Sequence, residues 1–269
     1  PPPPPPPSHT TPRPPRSTPY NHRRQRQMCI RDRATTQWGA GSQRALLLHG
    51  IQSNGAGWWR LAPDLVDAGY AVTAVDLPGH GASGRRAPMS IEAYRDAVVE
   101  VGSTWDLVLG HSLGGTVALA AIAANPDWTK QLILEDPSLE SRAPEAMLAD
   151  FLTPFAAPIT LERISAENPR WQAKDHEVKV DALRQCSPET IEATVAEAAP
   201  WNMWEALEGV GVPTLLLGAD SEPLVTAEAG ARAVAANPNI EFAVVAGGSH
   251  SMHRDAYPAF WDAVSGFIR

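Results

Sequence analysis

Two cysteines in 269 residues, Cys29 and Cys186, are too few for a disulfide framework or a multi-cysteine metal site, and they fit a reducing, cytoplasmic setting. No run approaches the roughly 18 uninterrupted apolar residues of a membrane-spanning helix. The opening is a proline tract, not the basic-then-apolar pattern of a secretory leader. A soluble chain with no membrane partner is the expectation. Basic residues are scarce beyond residue 37: seven arginines stand against Asp32 before that point, and 15 basic against 29 acidic residues follow it. A body so acidic repels a phosphate backbone, which argues against nucleic acid as a partner. What remains is 43% hydrophobic and long enough for one large domain, or a domain carrying an insertion.

Eleven of the 26 prolines fall in residues 1–37, beginning with Pro1 to Pro7, and no apolar periodicity of helix or strand precedes Trp38. Such a stretch buries too little apolar area to fold, and residues 1–37 read as a disordered or non-native extension. The string from Arg24 to Arg33 looks like translated sequencing-adaptor readthrough, and on that reading the native amino terminus and an edge strand are missing. A polyproline ligand or basic arm is the competing reading. Deleting 1–37 is expected to leave activity unchanged.

Past Trp38, short apolar runs alternate with helical patterns. Strands are predicted at 44–50 (RALLLHG), 71–76 (AVTAVD), 105–110 (WDLVLG), 131–135 (QLILE), 213–217 (PTLLL) and 240–245 (IEFAVV), with helices between them. Continuous apolar strands separated by helices predict an α/β fold with a mostly parallel sheet covered on both faces. Between Pro137 and about Leu207 the rhythm stops, and some seventy helix-like residues carry Phe151, Phe155, Trp171, Trp201, Met203 and Trp204. That is too long for an ordinary connection. The chain therefore divides into a core at 38–137 and 208–269 and a helical cap insertion at 138–207, set where open α/β sheets bind ligands.

Gly110-His111-Ser112-Leu113-Gly114 fits G-x-S-x-G directly after a predicted strand and before a predicted helix. A tight bend there, made possible by Gly110, Gly114 and Gly115, aims Ser112 out of the sheet as a nucleophile. The alternative is a turn with a capping serine. A serine nucleophile needs a base, itself oriented by a third group. His250 follows the last strand, which delivers it to the same sheet edge; His253 is its competitor. The pair's spacing could also mark a metal site, but no cysteine or clustered acid accompanies it, and no metal is expected. His49, His80 and His111 are read as loop supports or pocket lining. For the acid, Asp220 after strand 213–217 preserves the order Ser, Asp, His, while Asp136 at the end of strand 131–135 is a rival and Glu222 a third option. The amides of Leu113 and Ile51 are candidate oxyanion donors.

Together HGIQSNGAGWW, VDLPGHGASG, GHSLGG, the Asp220 strand end and GGSH resemble the α/β-hydrolase superfamily over about 230 residues. The resemblance implies an eight-stranded, mostly parallel sheet with a helical cap, and a triad of Ser112, His250 and an acid. Asp220 stands two residues past Gly218, where relatives commonly place the acid three past, which keeps Asp136 in play. A serine at 112 argues against the branches with a carboxylate nucleophile. The implied activity is cleavage of a small to medium apolar ester through an acyl-serine, with no metal or organic cofactor. Carbon–carbon hydrolase, thioesterase, cofactor-free perhydrolase and a hydrolase-like receptor are the alternatives.

Overall fold

The computed structural model describes residues 26–30, 33–85 and 87–268, with backbone alone for 26–30. Its strands are β1 (Arg26–Ile30), β2 (Arg33–Trp38), β3 (Gln43–Leu48), β4 (Tyr70–Val75), β5 (Leu107–His111), β6 (Leu132–Glu135), β7 (Thr214–Ala219) and β8 (Ile240–Val245). They form one sheet in the order β1-β2-β4-β3-β5-β6-β7-β8. Strands β4, β3, β5, β6, β7 and β8 pair in parallel, while β1 and β2 add an antiparallel edge. Six predicted strands are therefore found, and the eight-stranded, mostly parallel α/β sheet is the observed one.

The helices of the core are α1 (Leu61–Asp67), α2 (Ile91–Val99) and α3 (Leu113–Ala124). Helices α4 (Pro144–Leu152), α5 (Leu161–Glu167), α6 (Ala173–Gln185), α7 (Pro188–Ala198) and α8 (Trp204–Glu208) all lie between β6 and β7. Then come α9 (Ala227–Ala236), α10 (Met252–Asp255) and α11 (Tyr257–Phe267). Side chains alternate faces along a strand, and the central strands are apolar on both. Leu46, Leu48, Val108, Leu132 and Leu216 pack on one face with Tyr94 of α2 and Val117 of α3. Leu47, Leu109, Ile133 and Leu217 pack on the other with Leu65 of α1 and Phe260 of α11. Each such leucine, fully buried, is worth about 1.5–3 kcal/mol of transfer free energy.

The expected boundary at residue 38 is corrected: β2 belongs to the sheet. Thr35 pairs with Val75 and Trp38 with Val72, and Arg33, Ala34 and Thr35 are buried. The Ala34 amide donates to Ser83 Oγ at 2.9 Å, and its carbonyl accepts from the Asp76 amide at 3.0 Å. Period-two hydrophobicity misses this strand because its buried positions include two threonines and an arginine beside Ala34 and Trp38; β-branched Thr35 and Thr36 were the available signal. The reading of 1–25 as an extension lies outside the described residues.

The α4–α8 insertion is anchored to the core by polar contacts. Trp59 Nε1 donates to Asp175 Oδ1 at 2.8 Å, and Asp175 also closes the capping box that starts α6. Asn54 Nδ2 donates to Gln185 Oε1 at 3.0 Å, and Gln52 Nε2 to the Phe151 carbonyl.

Candidate active site

Strand β5 ends at His111, α3 begins at Leu113, and Ser112 makes the turn between them at φ +52°, ψ −118°. A non-glycine residue held there costs about 1–3 kcal/mol, which the surroundings must supply. They do so by close approach. A Cβ on Gly110 would sit 2.5 Å from the Gly114 carbonyl oxygen, and one on Gly114 would sit 2.3 Å from that of Leu48, so only glycine fits either position. The Ser112 amide donates to the Glu135 carbonyl at 3.0 Å, tying the bend to β6. Its side chain makes no cap hydrogen bond to α3, which removes the capping-serine reading. Ser112 instead lines a cavity of about 340 Å³, shared with Ile51, Leu113, His111 and His250.

The structure brings His250 to Asp136, not to Asp220. Asp136 directly follows β6 at φ +42°, fully buried. Its Oδ1 accepts from the amides of Leu224 (3.0 Å) and Val225 (2.9 Å), and its Oδ2 lies 2.6 Å from His250 Nδ1. A carboxylate only accepts, so His250 Nδ1 carries a proton. The first-named acid is thus corrected. Asp220 is exposed, and its Oδ2 accepts from the Gly247 amide at 3.0 Å while the amides of Asp220 and Ser221 both reach the Gly248 carbonyl at 3.0 Å. It braces the turn that leads into His250. Glu222 is exposed at φ +51°.

His253, the competing base, is buried and committed elsewhere. Its Nδ1 donates to Glu135 at 2.8 Å, its amide reaches the same carboxylate at 2.9 Å, and its Nε2 accepts from Arg254 Nε at 3.2 Å. The ring therefore bridges a buried carboxylate to a buried guanidinium. His111 stacks near both histidines, with ring centroids 4.7 Å from His250 and 5.1 Å from His253. Burial, with the two neighbouring rings adding to it, holds its pKa well below the usual histidine value. Neutral His111 donates from Nε2 to the His250 carbonyl at 2.7 Å and fixes that residue's backbone. His111, Glu135 and His253 gather potential ligand atoms within 4.8 Å of one another. Those of Glu135 and His253 are engaged with each other and with Arg254, whose positive charge also opposes a cation there.

Two other histidines support loops, as expected. His49 Nε2 accepts from the Leu77 amide at 3.0 Å, and burial lowers its pKa to about 4. His80 bonds the Pro78 carbonyl at 3.0 Å, and burial together with His49 lowers its pKa to about 3. The loop after β3 carries a third positive-φ residue of the site, Gln52 at +59°. Two of these positive-φ residues, Gln52 and Ser112, line one cavity, and Asp136 lies behind it against His250.

Two cationic residues at the cavity wall went unread in the sequence. Arg254 is 4% exposed; its Nη2 donates to Ser53 Oγ at 3.1 Å and its guanidinium stacks 4.6 Å from the Trp171 ring. Lys179 of α6 donates from Nζ to the Gln52 carbonyl at 3.1 Å, and burial, with the charge of Arg254 behind it, lowers its pKa to about 7. The run Val178-Lys179-Val180, a lysine between two buried valines, was the only signal for it.

A strained serine between strand and helix shares its cavity with a histidine that is bonded to a buried carboxylate, an arrangement found in a class of α/β site. Residues 45–263 match the alpha/beta hydrolase family, and the chain belongs to it. Lipase LipV of Mycobacterium tuberculosis (strain ATCC 25618 / H37Rv) is 39% identical over 130 residues, 44% of this chain and 49% of that lipase, so the match spans about half the relative's length. The pimeloyl-[acyl-carrier protein] methyl ester esterase of Klebsiella pneumoniae (strain 342) is 27% identical over 194 residues, 66% of this chain and 75% of that enzyme. Among solved structures, E-2-(acetamidomethylene)succinate hydrolase superposes with a TM-score of 0.76 at 22% identity, covering 91% of this chain and 98% of its own. A bromoperoxidase from Bacillus anthracis gives 0.75 at 19%, covering 91% and 99%. These two establish the fold alone.

Proposed function

We propose that this chain is a serine hydrolase that cleaves a carboxylic ester through an acyl-serine intermediate, with Ser112, His250 and Asp136 as its triad. The observation that carries the reading is the 2.6 Å bond from Asp136 to His250 Nδ1, which leaves the other ring nitrogen basic on the cavity that Ser112 lines. The esterases and lipase among the relatives supply the ester class.

In this mechanism His250 Nε2 takes the Ser112 proton as Oγ attacks the carbonyl carbon. The carbonyl electron pair moves onto oxygen. Leu113 opens α3, so its N–H is among those a helix leaves without an intrahelical acceptor, and it is one donor to that oxyanion; Ile51 N–H is the other. The positive end of the α3 dipole adds to them. Collapse expels the alkoxide, which leaves as an alcohol with the proton from His250. Water, deprotonated by the same nitrogen, then attacks the acyl-enzyme and releases the acid. The α4–α8 insertion acts as the cap, its Met147, Phe151, Val195 and Trp201 giving the cavity apolar walls for the substrate's carbon skeleton.

A fluorophosphonate probe tests this. Labelling of the wild type that disappears in Ser112→Ala, together with loss of chromogenic ester turnover, is the expected result. Labelling that persists in Ser112→Ala removes Ser112 from the chemistry.

A further inference from the structure

We propose that the cavity selects esters whose acyl part ends in a carboxylate, held by Lys179 and Arg254 a few carbons from the scissile carbonyl. This deepens the hydrolase reading, on which it rests, and replaces a uniformly apolar substrate with a half-ester of a short dicarboxylic acid.

The argument starts from charge. Cations enclosed by protein are normally paired, because burial without a partner is expensive. Among the described residues neither Lys179 nor Arg254 meets a carboxylate. Lys179 Nζ has the Gln52 carbonyl, and Arg254 has His253 Nε2, Ser53 Oγ and the Trp171 face. Asp175, Glu135 and Asp255 favour the charge of Arg254 without contacting it, Glu135 across the His253 ring, and Glu167 does the same for Lys179. Of the other charged side chains of the wall, Arg142 pairs with Asp150 at 2.6 Å, both half exposed, and the exposed Glu140 accepts from the neutral Asn202 amide. The wall therefore offers two cationic side chains with no carboxylate in contact to whatever enters, and the charge of Arg254 disfavours that of Lys179.

Position supplies the rest. Lys179 and Arg254 reach consecutive residues, Gln52 and Ser53, which follow directly on Ile51, the candidate oxyanion donor. Both cations line the same cavity as Ser112 and Ile51, so an anion seated on them shares that cavity with the scissile carbonyl. A cavity of about 340 Å³ leaves room for a short carbon chain between the two. An anion seated there would accept charge-assisted hydrogen bonds from both groups.

The test compares mono-p-nitrophenyl glutarate with p-nitrophenyl pentanoate, matched in chain length, on the wild type, Lys179→Met and Lys179→Arg. Calorimetry with glutarate, using pentanamide as the neutral control, accompanies it. The expected result is a higher kcat/KM for the anionic ester in the wild type. The ratio of the two esters falls about tenfold to a hundredfold in Lys179→Met and returns in Lys179→Arg, and glutarate binds where pentanamide does not. A ratio near one in the wild type, or both esters falling in parallel in Lys179→Met as a merely structural lysine would cause, overturns the anion site and leaves ester hydrolysis standing. Absence of turnover with Lys179-dependent glutarate binding keeps the anion site and overturns the hydrolase reading. Absence of both overturns both.

Discussion

Asp136 and Asp220 follow neighbouring strands, and a reading of strand ends alone sets both at one edge of the sheet. The backbone decides between them. At φ +42° Asp136 turns its carboxylate beneath His250, where the Leu224 and Val225 amides hold it, whereas Asp220 spends its carboxylate on the Gly247 amide. Neither that bend nor those two amides leaves a trace in local sequence, since they join positions 88 and 89 residues apart. Ser112 and His250 were legible because glycine spacing and a strand end announce them; Arg254 and Lys179 were not, because a charged residue on a helix usually marks a solvated face. The two acids separate experimentally. Asp136→Asn is expected to lower kcat by about a thousandfold to ten-thousandfold, through loss of the His250 tautomer. Asp220→Asn, which touches only a turn, is expected to change kcat by less than about tenfold. Steady-state kinetics on one chromogenic ester distinguishes them, and the reverse order would return Asp220 to the triad.

At the scale of elements, the parallel strands and the long helical excursion between β6 and β7 were readable, because apolar runs of five or six residues between glycines leave few other folds. Strand β2 was not. Its buried positions fall on both faces, with Arg33, Thr35 and Thr36 among them beside Ala34 and Trp38, so no apolar alternation marks it. The consequence reverses an expectation drawn from composition. Deleting residues 1–37 removes most of β2 and leaves the β4 edge at Ala74 and Val75 without its antiparallel partner. The thermal midpoint of the shortened chain is expected to fall, by about 2–4 °C for each kcal/mol of lost packing, and scanning calorimetry measures it. An unchanged midpoint would mean that β2 contributes nothing to the sheet.

For the molecule as a whole, three buried neutral histidines govern the response to acid. His49 and His80 are lowered to about 4 and about 3, and His111 lies well below its ordinary 6.5, each chiefly through burial. On unfolding each ring regains the ordinary value, so below about pH 6.5 the unfolded chain binds more protons than the folded one. Their contribution is complete above that pH and is lost as pH falls toward 4. Asp76, raised above its ordinary 3.8 by burial, works in the opposite direction, one group against three. Melting curves taken between pH 7 and 4 are expected to shift steadily downward, and a midpoint that rose on acidification would contradict the neutral assignments.

Glu135 and Asp136 are neighbours in the chain, and each holds a different histidine, His253 and His250, on the segment after β8. Opposite sides of one short ribbon thus grip the same loop, like two teeth of a key. Adding or removing a single residue in β6 would exchange the teeth, bringing Glu135 to the position that holds His250 and Asp136 to the one that holds His253. Length in β6 is therefore a quantity this architecture cannot vary by one, and lineages or designs that alter it must rebuild both histidine contacts at once.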